Sequence, residues 1–255
     1  MNFLIRWSTT LGLVGSTVLA MNVGQIAKVL ALPTDDVVKI LQGVPVFTIA
    51  DAQGAPLVAL ADGNKKVTGI FMSQKEAQAF FEQLKKQKPD VASKVMVQPV
   101  SLGEVYKLAL ASANKPDGLN FAYVPVPLEV ETAKKIAGQQ FQGGVPIFVA
   151  RGGKDQGYLT IQQNNEQVIP FFFEEKQIQE MVTRFKKDKP DLAATVKIDV
   201  VPLENVISTL QQSNDSMLTK IRFVPSQESL AFIRSVLNQN KGQGAPANNQ
   251  PAPKK

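Results

Sequence analysis

The chain has 255 residues and contains neither histidine nor cysteine, with 28 Lys and Arg against 22 Asp and Glu. Those two zeros exclude a Ser-His-Asp triad, His-ligated transition metals, a thiol nucleophile, disulfides and iron–sulfur clusters. Catalysis would have to rest on carboxylates, Lys, Arg, Tyr, Ser or Thr, and a metal site on oxygen ligands.

Residues 1–31 carry Arg6 and then no charge until Lys28, with an apolar run over 11–20. This is the pattern of a secretory signal peptide, with small-residue cleavage sites ending at Ala20 or Ala31. An uncleaved membrane anchor is the alternative, because the uncharged stretch is long enough to span a bilayer. Thr34-Asp35-Asp36 opens the first folded helix. A β-rich run over 45–50 is followed by the turn Asp51-Ala52-Gln53-Gly54 and a second strand over 57–61, which makes a hairpin. After Asp62-Gly63-Asn64 a third strand covers 67–72. Ser73 and Glu76 form a capping box for a helix with Ala77, Phe80, Phe81 and Leu84 on one face, stopped at Lys88-Pro89-Asp90. A strand over 95–97 precedes a second capping box, Ser101 and Glu104, whose helix runs through Tyr106, Leu108 and Leu110 to the exit at 114–118. A strand over 120–124 and a helix over 128–137 complete the series.

The series then recurs. Gly43-Val44-Pro45-Val46-Phe47 returns 101 residues later as Gly144-Val145-Pro146-Ile147-Phe148, and the same spacing relates Phe71 to Phe172 and the whole run 85–90 to 186–191. It also relates Val95 to Val196, Val100 to Val201, Leu102 to Leu203 and Val105 to Val206; a register of 100 then relates Tyr123-Val124-Pro125 to Phe223-Val224-Pro225. Glu174 stands where Ser73 caps the first copy, and Pro202 where Ser101 does. A fixed spacing of this length indicates tandem duplication. The expected fold is α+β, with duplicated halves at 32–138 and 139–238, pseudo-two-fold symmetry, and one central mixed or antiparallel sheet flanked by helix pairs. The segment 239–255 is rich in Gly, Pro, Gln and Asn and reads as a disordered tail.

Several motifs have structural readings. Ser112 with Lys115, and Thr132 with Lys135, match S/T-x-x-K, the basis of a Ser/Lys hydrolase alternative, but Ser112 lies at a helix exit and no companion motif is present. Residues 151–157 resemble a phosphate loop but lead into a strand, so a hairpin turn accounts for them better. Asp35-Asp36 and Glu174-Glu175 sit at helix starts, and the lysines at 85, 86, 88 and at 186, 187, 189 sit at helix ends, where the helix dipole favours them. Of the 28 cations, Arg6 and Lys28 lie in the leader and Lys241, Lys254 and Lys255 in the tail, which leaves 23 against 22 acids. That balance argues against a nucleic-acid partner.

The sequence holds 14 Phe against 3 Tyr and 1 Trp, with Phe171, Phe172 and Phe173 consecutive. On a strand these rings face both sides, so both faces must be covered, by helices or by a ligand. The ligand alternative places grooves for apolar peptide segments at Phe80, Phe81, Leu84 and Tyr106 in one half and at Met181, Phe185, Ile207 and Leu210 in the other. The same residues serve a core equally well, and exposure in the fold decides between the two.

The string GVPVFTIADAQGAPLVA over 43–59, with GIFMSQKEAQAFFEQLKK from Gly69 and VSLGEVYKLA from Val100, resembles the Tic-twenty-two-like family. So does the second half, through GVPIFVA from Gly144 and KKDKPDLAATVKIDVVPLENV from Lys186. This family is the intermembrane-space component of chloroplast protein import, with cyanobacterial relatives, and the resemblance covers about 32–237. It implies a duplicated body with apolar pockets and a chaperone-like role for unfolded preproteins or outer-membrane proteins between two membranes. An Omp85-type translocon is the implied partner, with peripheral membrane association and neither catalytic residues nor a cofactor. A structural adaptor docked on that translocon is the alternative role. The bacterial-type leader points to the periplasm or thylakoid lumen of a cyanobacterium.

Overall fold

The computed structural model describes residues 31–242 apart from 62, 64, 114, 116, 189 and 191–193. The expected leader, except its last residue, and the tail beyond 242 lie outside the described residues. Helix α1 (Thr34–Gln42) forms where the sequence places it, with Asp35 and Asp36 in the first turn and Val37, Val38 and Leu41 buried. The first half continues as β1 (Pro45–Ala50), β2 (Ala59–Ala61), β3 (Lys65–Phe71), α2 (Gln74–Gln87), α3 (Pro89–Ala92), β4 (Met96–Ser101), α4 (Leu102–Ala113), β5 (Leu119–Val124) and α5 (Pro127–Ala137). The second comprises β6 (Pro146–Gly152), β7 (Gly157–Tyr158), β8 (Ile161–Gln163), β9 (Glu166–Phe172), α6 (Glu175–Asp188), β10 (Lys197–Pro202), α7 (Leu203–Gln212), β11 (Ile221–Val224) and α8 (Gln227–Gly242). Helix α8 therefore extends into the segment read from composition as the start of the tail.

The α+β class holds, but there are two sheets rather than one central sheet. β1 lies antiparallel between β3 and β4, and β3 runs parallel to β5. β6 lies antiparallel between β9 and β10, and β9 runs parallel to β11. The strand order is thus the same in both sheets. The sheets meet through faces rather than edges, because alternation gives every inner strand two apolar sides. Val46, Ile70, Ile147 and Ile169 join α1, α4 and α7 in one central cluster. Phe47, Ile49 and Phe71 form a second cluster under α2, and Phe148, Ala150 and Phe172 a third under α6. The consecutive phenylalanines divide accordingly, Phe171 and Phe173 into the centre and Phe172 outwards.

The last helix of each half crosses to the other half. Helix α5 lies against β6 and β10, and α8 against β1. Phe232 of α8 meets Phe47 edge-on, with ring centroids 5.3 Å apart, while Val130, Ala133 and Ala137 of α5 cover the third cluster. Carboxylates fasten both crossings at helix N-termini, whose first N–H groups lack partners within their own helix. Glu228 accepts from the Ser73 hydroxyl at 2.6 Å and from the Lys75 N–H at 2.8 Å. Glu129 accepts from the Glu175 N–H at 3.1 Å, and Glu174 from the Gln227 N–H at 3.0 Å. The expected local cap is also present, with the Glu76 N–H donating to Ser73 Oγ at 3.4 Å. Because Glu228 holds two donors across the exchange, Glu228→Ala should lower unfolding stability in urea by about 1–2 kcal/mol. An equal midpoint for variant and wild type would refute that role.

Candidate functional site

Among the described residues, the side chains that the sequence leaves for catalysis are engaged in structural contacts. Ser112 Oγ accepts the Leu119 N–H at 2.6 Å and closes the exit of α4, while Lys115 is exposed. Burial pushes the Tyr123 phenol up to about 12, with the Glu204 carboxylate adding to the rise, so it keeps its proton. Glu82 and Asp117 are held below the usual carboxylate range by hydrogen bonds from Lys85 and Lys66, both on exposed faces. Among the described residues no group of three or more acidic side chains is placed to hold a metal ion. Residues 151–157 form the β6–β7 hairpin with Gly153 at φ 77°, a conformation glycine adopts without strain.

An apolar groove of about 460 Å³ runs along one side of α6, above β8, β9 and β11. Its floor is Leu159, Ile161, Phe172 and Val224, and its wall is Met181 and Phe185, with Glu180, Arg184 and Asp188 on the rim. Gln177, buried at its base, donates through Nε2 to the Pro225 carbonyl at 3.1 Å and ties α6 to the start of α8. In the first half Phe80 holds the α2 position that Met181 holds in α6, and its ring lies 5.4 Å from that of Phe71. Ladder register sets Ala59 opposite Val67 as Ile161 is set opposite Val168. The first half therefore offers an exposed ring, 42 % accessible, where the second has an open groove.

The eight residues singled out from the sequence divide by layer. Phe80 is exposed, and Phe81, Leu84, Met181 and Phe185 are half-buried on the outer helices. The Lys85 ammonium sits 4.6 Å over the Phe81 ring. Tyr106, Ile207 and Leu210, at 4 %, 8 % and 0 % exposure, lie in the central cluster. Helices α4 and α7 turn their buried faces into that cluster, so these three side chains pack the core. Leu159, Ile161 and Val224 were not singled out; the alternation of the short strands was their only signal.

A smaller cavity of about 60 Å³ lies where the N-termini of α2, α5, α6 and α8 converge, lined in part by Met72, Phe173, Glu129, Glu174 and Glu228. Burial raises the Glu129 carboxyl above its ordinary range, the Glu175 N–H opposes that rise, and the Glu174 and Glu175 charges add to it.

Residues 14–235 match the Tic22-like family. The chain belongs to that family. It is 23% identical over 188 residues to the chloroplastic TIC 22 protein of Pisum sativum, covering 72% of this chain and 70% of the relative. The Arabidopsis thaliana protein of the same description is 24% identical over 201 residues, covering 76% and 69%. The solved structure of Anabaena Tic22, described as protein transport, superposes with a TM-score of 0.70 at 31% identity, over 80% of this chain and 97% of that one. Tic22 from Plasmodium falciparum shares the fold at a TM-score of 0.64 and 18% identity, over 80% and 98%. Membership makes the chain a protein-import factor. Among the described residues no helix is long and apolar enough to cross a membrane.

Two measurements check these assignments. Leu210→Ala should cost about 2–5 kcal/mol as a core truncation, and Phe80→Ala below about 1 kcal/mol as an exposed one; equal urea midpoints for the two variants would contradict the layer assignment. A carboxyl whose pKa is raised by folding contributes fully below its unfolded pKa, and that contribution is lost as pH rises through the folded value. Glu129→Gln, which keeps an acceptor for the Glu175 N–H, should therefore melt above the wild type near pH 7, with the margin closing towards about pH 4. A variant that melts lower at neutral pH would reverse the sign of this argument.

Proposed function

We propose that this Tic22-like chain is a chaperone-like factor that holds apolar stretches of unfolded preproteins or outer-membrane proteins between two membranes, with the α6 groove as the binding site. The groove itself carries the reading: about 460 Å³ floored by Leu159, Ile161 and Phe172 is a large apolar concavity. The exposed Phe80 ring supplies a further apolar contact on α2. The location is the periplasm or thylakoid lumen of a cyanobacterium, a reading supported by the likeness to Anabaena Tic22 and, for the plastid intermembrane space, by the two chloroplastic relatives. A leader over 1–31 accords with export, and an Omp85-type barrel is the membrane partner.

The test is suppression of aggregation of a denatured outer-membrane protein on dilution from urea. The wild type should suppress it in proportion to its concentration. Met181→Glu should need roughly ten times more protein for the same effect, since a client would then desolvate a carboxylate. Unaltered suppression by the variant rejects the α6 groove. Saturable binding to the soluble domains of a barrel translocon without any suppression would identify a structural adaptor instead.

A further inference from the structure

The outermost strands of the two sheets differ in what their backbones offer. In an antiparallel ladder, opposed residues alternate between pairs that exchange both N–H···O=C bonds and pairs whose groups point away from each other. Pro202 stands opposite Pro146, and neither has an N–H, so that pair is of the second kind. Alternation then places Val200 opposite Phe148, and Ile198 opposite Ala150, in the same class. Two backbone bonds agree with this assignment. The Ala150 carbonyl accepts from the Leu159 N–H at 2.8 Å, on the side of β6 away from β10, and the Leu203 N–H continues the inward row to the Val145 carbonyl at 2.8 Å. The N–H and C=O of Ile198 and Val200 therefore point out of the sheet, and neither residue's backbone has a hydrogen-bond partner among the described residues.

The same reasoning applied to β4 gives an outward row of Val97, Pro99 and Ser101, opposite Ile49, Phe47 and Pro45. Pro99 removes the middle donor, one of the devices by which proteins protect an edge strand from further pairing. It occupies the position in β4 that Val200 occupies in β10, 101 residues on. The outward row of β10 also has one proline, Pro202, but at its end, so Ile198 and Val200 leave two successive outward donors where Pro99 interrupts those of β4 in the middle.

Beside this edge of β10 lies a groove of about 340 Å³ between α5 and α6, on the opposite side of α6 from the Met181 groove. Ile136, Val182, Val196 and Ile198 line it together with Gln179 and Thr183, with Glu175 from the first turn of α6 and Lys186 from the last, so its lining is mixed. Lys134 and Lys135 stand in the last turn of α5 and Lys187 beside Lys186 in the last turn of α6. Lys186 lines the groove, and the other three lysines stand on the same two neighbouring helix ends.

We propose that β10 takes up an extended peptide segment as an added strand. The main chain of the segment pairs with the outward N–H and C=O groups of Ile198 and Val200, whose two-residue spacing only an extended backbone matches. Small side chains on one of its faces, apolar or hydroxyl-bearing, enter the mixed groove between α5 and α6, and an acidic residue just beyond the paired stretch faces the lysine-bearing turns. This site is independent of the Met181 groove, and the test separates the two.

The probe is a short fluorescent peptide of alternating valine and threonine that ends in aspartates, bound to the full chain and followed by fluorescence anisotropy. Saturable binding is expected. It should weaken roughly tenfold in Val200→Pro, which deletes one outward donor and leaves the internal ladder intact, as Pro99 does in β4. N-methylation of alternate amides on the pairing edge of the peptide should abolish binding to the unaltered protein, a result that stands even where Val200→Pro does not fold. Met181→Glu should leave the affinity unchanged. The proposal is overturned by absence of saturable binding, by full affinity of the N-methylated peptide or of a folded Val200→Pro chain, or by loss of binding in Met181→Glu, which would move the peptide to the other groove.

Discussion

Each sheet of this protein has apolar side chains on both faces, and the helices of its own half cover only part of that surface. The inner faces are satisfied together, by α1, α4 and α7 in the central cluster. The outer face of each sheet receives one helix from its own half, α2 or α6, and one from the other, α8 or α5. Neither half could bury Phe47 or Phe148 fully by itself, because Phe232 and Ala133, which cover those clusters, come from across the molecule. The exchange also explains why three glutamates, Glu129, Glu174 and Glu228, crowd around four helix N-termini. Each accepts a backbone N–H at a helix start where an incoming helix must be fixed, and burial, with a smaller addition from the Glu174 and Glu175 charges, raises the pKa of Glu129.

Local signals made the element order legible. The Ser73 and Ser101 caps accept from Glu76 and Glu104 as their spacing indicates, and Asp35 and Asp36 mark the start of α1. The consecutive phenylalanines correctly required two covered faces. The crossing of α5 and α8 was not legible, since their apolar faces would pack against either sheet and the deciding contacts, such as Glu228 with Lys75, join residues far apart in sequence. The single central sheet was misjudged for a related reason. Alternation shows that a strand has two apolar sides but not whether neighbouring sheets meet by edge or by face.

The candidate site shows the same limit. An apolar stripe on a helix looks alike whether the helix lies inside or outside a sheet, so Tyr106 and Leu210 could not be separated from Phe80 and Met181 by periodicity. Charge offered a partial signal: α2 and α6 end in paired lysines, whereas α4 and α7 have no cation in their last turn. The signal is only partial, because α1 also carries a cation, Lys39, in its last turn and lies in the central cluster.

Differences between matching positions of the two halves are functionally more informative than the similarities. Where the first half has Phe80 packed at a tilt against Phe71, the second has the thinner Met181 and an open groove. Where β4 has Pro99, β10 has Val200 with a free donor. The substitutions lie on opposite sides of α6, one changing side-chain volume and the other moving the proline of the outward row from the middle of β4 to the end of β10. A symmetric binding protein would present each feature twice. Here the first half contributes the better-filled outer layer, anchored by Phe232, and through α5 it forms one wall of the groove beside β10. The second half carries the open groove and the two successive donors, so the exchange of helices that completes the core also makes the groove beside β10 a joint product of the two halves.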